Sequence, residues 1–341
     1  MDGIKILHTA DLHISDSGSG GAQALARIID LAKINDVEVI MIVGDLFDKA
    51  ISSESDKSYV IALFTEIPHI KVLIGAGNHD PLQAYKDIMF PSNVYLFGRK
   101  IEKVQFKNAD IYGVSFPEIY QRTSLIGDFI VDKPDKINIL MMHGECVSAS
   151  KYNPISAREL EATGIDYAAL GHVHTFSGVQ RIGGTYYAYP GIPQGRGFDE
   201  TGDKGVLLGE VFKGGHNLEF VKTSEFEYIE TKVDVSGCND YCDIVTRIRE
   251  AELDVNNVYR IKLCGVFVGD FSINGGHVES LLSEFKQIEI LDTTDIKVDL
   301  EALAGEYSLR GIFAKKALEK GLDERAIQYG LAALDGKKVE V

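Results

Sequence analysis

Five short apolar runs in this chain each lead directly into a cluster of oxygen and nitrogen donors. Ile4–Leu7 leads to Asp11-Leu12-His13, Val37–Val43 to Gly44-Asp45-Leu46-Phe47-Asp48, and Ile70–Ile74 to Gly77-Asn78-His79-Asp80. Ile137–Met142 leads to His143-Gly144-Glu145, and Tyr167–Leu170 to Gly171-His172-Val173-His174. Runs of this length and composition read as buried strands. Between the first two, Leu25, Ile28, Ile29 and Ala32 recur at the spacing of one helical face. That is a β-α-β unit, which implies parallel strands covered by helices. A further helix is expected near Ser156–Ala162. Every donor cluster then falls at the carboxyl end of a strand, where open α/β sheets place their sites.

The donors themselves define the chemistry. Five of the nine histidines lie in these motifs. Asp11, His13, Asp45, Asn78, His143, His172 and His174 combine carboxylate, amide and imidazole ligands, a mixture suited to a pair of borderline divalent metals. Two such ions close together clamp a phosphate and activate water, so the set points to phosphoester hydrolysis. Singly, Asp-x-His and Gly-Asp-x-x-Asp are weak signals. The ordered set, each member at a strand end, is a strong one. His8 is expected to be a buried, supporting histidine, and Asp48 a turn or capping residue. Asp80 would orient His79 or stabilise its loop. Glu145 reads equally as a solvated acid or as a partner of a ligand. His69, His216 and His277 lie outside the motifs and are expected to be solvated.

A chain of 341 residues is long for one core, which favours two domains. From about residue 178 short strands with Gly turns read as antiparallel hairpins, expected to form a second sheet. Residues 226–298 read as a small α/β unit. Leu309–Leu334 reads as two short helices with Gly321 between them as a C-cap. The charge supports a boundary near 225. Residues 225–306 hold 18 acids and 7 bases, net −11, whereas 1–224 hold 28 acids and 21 bases, net −7, and 307–341 hold 5 acids and 7 bases, net +2. A chain of net charge −16 shows no broad nucleic-acid footprint. The Met1-Asp2-Gly3 start lacks a signal-peptide pattern, and no apolar stretch approaches the ~20 residues of a membrane span. A cytoplasmic protein is therefore expected. Cys146, Cys238, Cys242 and Cys264 read as reduced thiols rather than a zinc site or disulfide.

The motif set, over about residues 4–190, resembles the calcineurin-like metallophosphoesterase family. The resemblance implies an α/β fold: a four-layer α-β-β-α sandwich with the metals at one sheet edge. It implies that Asp11, His13 and His174 hold one metal, Asn78, His143 and His172 the other, and that Asp45 bridges both. Manganese is the implied metal, with iron or zinc acceptable to the donor set. His79 would stabilise or protonate the leaving oxygen rather than bind metal. The opening His8-Thr9-Ala10-Asp11-Leu12-His13, the Gly-Asn-His-Asp motif and the run Tyr189–Gly205 resemble the DNA-repair exonuclease branch with SbcD and YhaO-like members. That branch implies DNA as substrate, a capping domain (225–300) after a catalytic domain (1–224), and C-terminal helices (301–341) that dock an SbcC-like coiled-coil ATPase. Homodimers also occur in it, and no membrane partner is expected. A small-molecule or cyclic-nucleotide phosphodiesterase or phosphatase using the same site, or a mainly adaptor subunit for an SbcC-like ATPase, is the alternative. In the run 189–205, Gln194 and Arg196 are expected to hold phosphate oxygens, or else Arg196 makes a structural ion pair.

Overall fold

The computed structural model describes residues 3–49, 53–267, 273–296 and 300–334. The chain divides into two compact units, 1–227 and 228–341.

The first unit holds two mixed β-sheets. In the first sheet β1 (Ile4–Thr9), β2 (Val39–Val43), β3 (Lys71–Gly75) and β4 (Val94–Leu96) run parallel. In the second, β5 (Glu102–Gln105) pairs antiparallel with β6 (Ala109–Val114). Then β7 (Ile137–His143) and β8 (Tyr167–Gly171) follow in parallel. β9 (Gln180–Ile182) and β10 (Thr185–Ala188) form a hairpin, and β10 lies parallel to β8. β11 (Gly205–Phe212) instead returns to the first sheet, antiparallel to β1, with β12 (Gly215–His216) and β13 (Glu219–Lys222) on its far edge. The strands between residues 178 and 224 therefore do not build a sheet of their own. They extend two sheets already begun, because each of those sheets has an open edge beside β8 or β1 that needs pairing.

The apolar alternation on each strand explains the layering. Ile6, Val39, Met41 and Leu73 of the first sheet share one core cluster with Ile111, Ile139, Met141 and Tyr167 of the second. The opposite faces of β1 to β3, with Leu7, Ile40, Ile42 and Ile74, pack on Leu25, Ile28 and Ile29 of α1 (Gly20–Ile34) and Val60 and Phe64 of α2 (Glu54–Thr65). Burying each such Leu or Ile stabilises the unit by about 1.5–3 kcal/mol. Ser19 caps α1, and Ser53 and Asp56 form a reciprocal capping box on α2. Leu160 of α3 (Ala157–Ala162) covers Leu140, Met142 and Leu170 on the outer face of the second sheet.

One buried polar link ties the sheets together. His8 on β1 has Nδ1 2.9 Å from the Tyr167 hydroxyl and Nε2 3.1 Å from the Leu170 carbonyl. A carbonyl only accepts, so Nε2 carries the hydrogen and the hydroxyl donates to Nδ1. Burial accordingly lowers the His8 imidazole to about 3, against a smaller raising effect of the Leu170 carbonyl.

The second unit has a parallel sheet of β14 (Tyr228–Asp234), β15 (Val258–Cys264) and β17 (Gln287–Asp292), with β16 (Val266–Phe267) pairing β18 (Asp295–Ile296). Ile244 and Ile248 of α4 (Tyr241–Glu250) and Val278 of α5 (Gly275–Leu281) enclose its core. α6 (Leu300–Ala304), α7 (Leu309–Lys320) and α8 (Glu324–Leu334) share a separate small cluster around Leu303, Ala314, Ala317, Ile327 and Leu331. Gly321 closes α7 with φ of 59°, the left-handed C-cap.

Candidate metal centre

All seven donors selected from the sequence come together where β1, β2, β3, β7 and β8 end. Three sets of donor atoms lie within 4.8 Å of one another: Asp11, His13 and His174; Asp11, Asp45 and His143; and His13, Asp45 and His79. Asn78 joins through Oδ1, which is 3.0 Å from His143 Nε2 and 3.0 Å from His172 Nδ1. Asp11, His13, Asp45, Asn78 and His143 are buried, whereas His172 and His174 are half-buried and His79 is exposed.

The loops that present these donors are zipped to each other. Asp11 N–H donates to Gly44 O at 3.1 Å and His13 N–H to Asp45 O at 2.9 Å. Gly144 N–H donates to Gly171 O at 3.1 Å, and His172 N–H reaches Asp11 Oδ2 at 2.9 Å. Four of the donor residues hold left-handed backbone: Asp11 (φ 53°), His13 (48°), Asp45 (52°) and His172 (101°). Each such residue costs on the order of 1–3 kcal/mol, a strain the surrounding sheets sustain. Gly77 lies so close to Asp45 that a Cβ would stand 2.1 Å from Oδ1.

The outer ring atoms of the histidines are spoken for, which fixes which nitrogen faces inward. His143 Nδ1–H donates to Val43 O at 2.9 Å, leaving Nε2 towards Asp45 Oδ2 at 3.4 Å. His174 Nδ1–H donates to Glu200 Oε1 at 2.7 Å, leaving Nε2 3.3 Å from His13 Nε2 and 3.8 Å from Asp11 Oδ1. His172 Nε2–H donates to Glu145 Oε1 at 3.1 Å, leaving Nδ1 towards Asn78. A carboxylate or carbonyl behind each imidazole is how metal-binding histidines are oriented.

Two buried carboxylates, Asp11 and Asp45, share the centre. Asp11 Oδ1 is buried with no hydrogen-bond partner. Burial alone would lower the His143 imidazole, yet the Asp45 and Asp11 carboxylates raise it to about 9. Burial pushes Asp11 up, and a neighbouring Asp45 adds to this. Lone pairs and carboxylates converging on one buried point fit divalent cations.

Three supporting carboxylates were not singled out as site residues by sequence. Glu200 accepts from His174, from Arg196 Nη2 at 3.2 Å and from Arg196 N–H at 2.9 Å. Asp48 accepts from Arg196 Nη1 at 3.1 Å and lies 3.5 Å from His13 Nδ1, so it does more than turn the chain. Asp80 is fully buried and accepts from Phe47 N–H and Gly77 N–H, both at 2.9 Å, and from the Tyr85 hydroxyl. Burial, with Asp45 close by, pushes its carboxyl upwards. It binds the second and third motifs to each other, while the His79 ring nitrogen is held by the Asp48 carbonyl. Glu145, left open between two readings, is the partner of His172.

Gln194 does not take the phosphate-facing place expected for it. It is buried; its Nε2–H donates to Phe226 O at 3.0 Å, and its Oε1 accepts from Glu225 N–H at 2.9 Å and Arg27 Nη2 at 3.3 Å. Its amide closes a loop. Arg196 is held in the two ion pairs with Asp48 and Glu200. His79 N–H donates to Asp45 Oδ1 at 2.8 Å, and its ring Nδ1 lies 3.2 Å from the Asp48 carbonyl, so Nδ1 carries hydrogen and Nε2 is the atom left for proton exchange.

Comparison with known proteins agrees with this geometry. Residues 4–176 match the family described as Calcineurin-like phosphoesterase. The chain is 32% identical over 264 residues to the uncharacterized metallophosphoesterase YhaO of Bacillus subtilis, a match that covers 68% of this chain and 64% of that protein. It is 21% identical over 382 residues to the DNA double-strand break repair protein Mre11 of Methanopyrus kandleri, covering 98% of this chain and 82% of that protein. A shorter stretch of 90 residues, 24% of this chain and 22% of the relative, is 33% identical to a subunit of the nuclease SbcCD from Rhodobacter capsulatus. The chain thus spans just under two thirds of YhaO. Among the described residues no helix is long and apolar enough to cross a membrane.

Proposed function

The chain belongs to the calcineurin-like phosphoesterase family, and from that premise we propose that it is a two-metal phosphodiesterase that cuts DNA. The observation that carries the hydrolytic part is the convergence of donors, most of them buried, with the free ring nitrogens of His143, His172 and His174 turned towards neighbouring donors. Asp11, His13 and His174 would hold one ion, Asn78, His143 and His172 the other, and Asp45 would bridge them. Manganese is the proposed metal, with iron or zinc compatible with the donors. When bound, the pair supplies charge that stabilises the phosphoryl transition state and a nucleophilic water at neutral pH.

The chain's own residues do the rest. Glu145, Glu200 and the Val43 carbonyl lock the three ring orientations. The Asp48 carbonyl orients His79, whose Nε2 delivers a proton to the leaving oxygen. DNA as substrate is supported by relatives named as a break-repair protein and a nuclease subunit. On the same support we assign the catalytic domain to 1–224, built as a four-layer sandwich, a capping role to 225–300, and docking of an SbcC-like ATPase to 301–341. A homodimer through the catalytic domain belongs to the same reading.

Manganese-dependent digestion of linear single- and double-stranded DNA, beside bis(p-nitrophenyl) phosphate and mononucleotides, tests it. Hydrolysis of the small esters with no cut DNA, with or without an SbcC-like ATPase, would favour a small-molecule phosphodiesterase instead.

A further inference from the structure

Beside the metal centre the chain carries an aromatic wall that none of the reactions above uses. The Tyr152 ring centroid lies 4.8 Å from that of His172, and the Tyr120 ring 6.0 Å from that of Tyr152. Tyr120 is 55% exposed, and Ile119 beside it is 52% exposed. Large apolar side chains left open this close to a hydrolytic centre need a reason.

The wall is registered to the site by backbone bonds. Gln121 and Tyr152 form an isolated parallel bridge: Gln121 N–H donates to Lys151 O at 2.9 Å and Asn153 N–H to Gln121 O at 2.6 Å. The Tyr152 carbonyl accepts from Glu145 N–H at 3.2 Å, and the Glu145 carboxylate holds His172. Asn153 is buried and ties the same loop to His143 O at 2.8 Å and to Leu125 N–H at 2.8 Å. Tyr120 therefore keeps a set position relative to His172 rather than waving on a free loop.

Charge adds the second requirement. Arg122 lies two residues after Tyr120, and Lys151 one residue before Tyr152. Arg122 and Lys151 are both exposed, and among the described residues neither takes part in a salt bridge. Two exposed cations next to these tyrosines in sequence, in a chain of net charge −16, favour an anion that also carries a flat ring.

We propose that Tyr120, supported by Tyr152, is a stacking platform for the base next to the scissile phosphate of a single-stranded polynucleotide, and that Arg122 and Lys151 hold a neighbouring phosphate. This deepens the DNA reading and rests on it. Base–aromatic stacking of this kind changes binding by about tenfold per base, without choosing among bases.

The test compares a single-stranded oligonucleotide with one of the same length bearing abasic sites across the cleavage region. The wild-type protein with manganese is expected to show a kcat/KM about tenfold higher on the strand with bases. Tyr120→Ala is expected to bring that strand down to the abasic level, and Tyr120→Phe to keep the preference, since stacking needs the ring and not the hydroxyl. Arg122→Ala and Lys151→Ala are expected to weaken both strands alike and to flatten the salt dependence. Equal cleavage of both strands by the wild type, or an unchanged preference in Tyr120→Ala, overturns the platform while the nuclease reading stands. If neither strand is cut while bis(p-nitrophenyl) phosphate is, the nuclease reading fails and the platform falls with it.

Discussion

Replacing Gly77 with alanine asks how closely the centre is built. A Cβ there would lie 2.1 Å from Asp45 Oδ1, 2.7 Å from Asp45 Cγ and 2.5 Å from Asp45 N, whereas real Cβ contacts essentially never fall below 3.0 Å. The backbone nitrogen cannot retreat, because the Asp45 carbonyl beside it is bonded to His13 N–H at 2.9 Å. The Gly77 backbone must therefore shift and the Asp45 carboxylate swing away, together by roughly 1 Å, about the displacement that costs a hundredfold in rate at a catalytic centre. That swing also breaks the His79 N–H bond to Asp45 Oδ1. Overpacking of this kind costs about 1–3 kcal/mol, or roughly 2–12 °C in the melting midpoint of a unit this size. The assay pairs manganese titration calorimetry with turnover of bis(p-nitrophenyl) phosphate and a melt of the metal-free protein. Gly184→Ala serves as control, since nothing lies within 4 Å of its Cβ position. A Gly77→Ala protein that binds two manganese ions and turns over at the wild-type rate would refute the argument that Asp45 needs its present position.

Three further outcomes are expected. His79→Ala should keep its metal content, measured by elemental analysis, and lose about 10²–10⁴-fold in kcat, because the residue moves a proton rather than anchoring an ion. Glu200→Gln should weaken manganese binding by about 10–100-fold in calorimetry, with Glu200→Asp closer to wild type, because His174 loses the charged acceptor that aims it. The His8 link should appear in acid. Its folded value of about 3 lies below the unfolded 6.5, so its contribution is complete above pH 6.5 and is lost as pH falls towards 3. Each pH unit in that window removes about 1.4 kcal/mol, so urea unfolding of the metal-free protein should lose about 2 kcal/mol from this group between pH 7 and pH 5. His8→Gln should lack that acid slope, and Tyr167→Phe should cost about 1–3 kcal/mol at neutral pH by stranding Nδ1. An identical acid slope in His8→Gln would remove the His8 explanation.

Much of the centre is legible in the linear chain because its donors sit in compact motifs directly after strands. An apolar run long enough to be a strand must end somewhere, and parallel neighbours bring their ends to one edge. Asp11, Asp45, Asn78, His143 and His172 needed nothing more to be grouped. The supports were hidden for the opposite reason. Glu200 lies 26 residues beyond His174, and Asp48 lies 148 residues from Arg196. No local period records such a pairing, and a lone acid in a Gly-rich run looks like any solvated acid. Gln194 carried the same ambiguity, and only the Phe226 carbonyl and Arg27 around it show that its amide is occupied.

Sheet membership was hidden as well. The hairpin pattern after residue 178 is local, but whether a strand joins β8 or β1 depends on which edge is free in three dimensions. By itself, then, the sequence determined the alternation of strands and helices, the donor set and the class of chemistry, because these follow from periodicity and residue type. Only the tertiary structure decided which nitrogen of each histidine faces the centre, which carboxylates stand behind them, and that Tyr120 reaches the side of His172 through Tyr152. Those are relations between residues far apart in the chain, set by the packing of two sheets and the loops zipped across their ends.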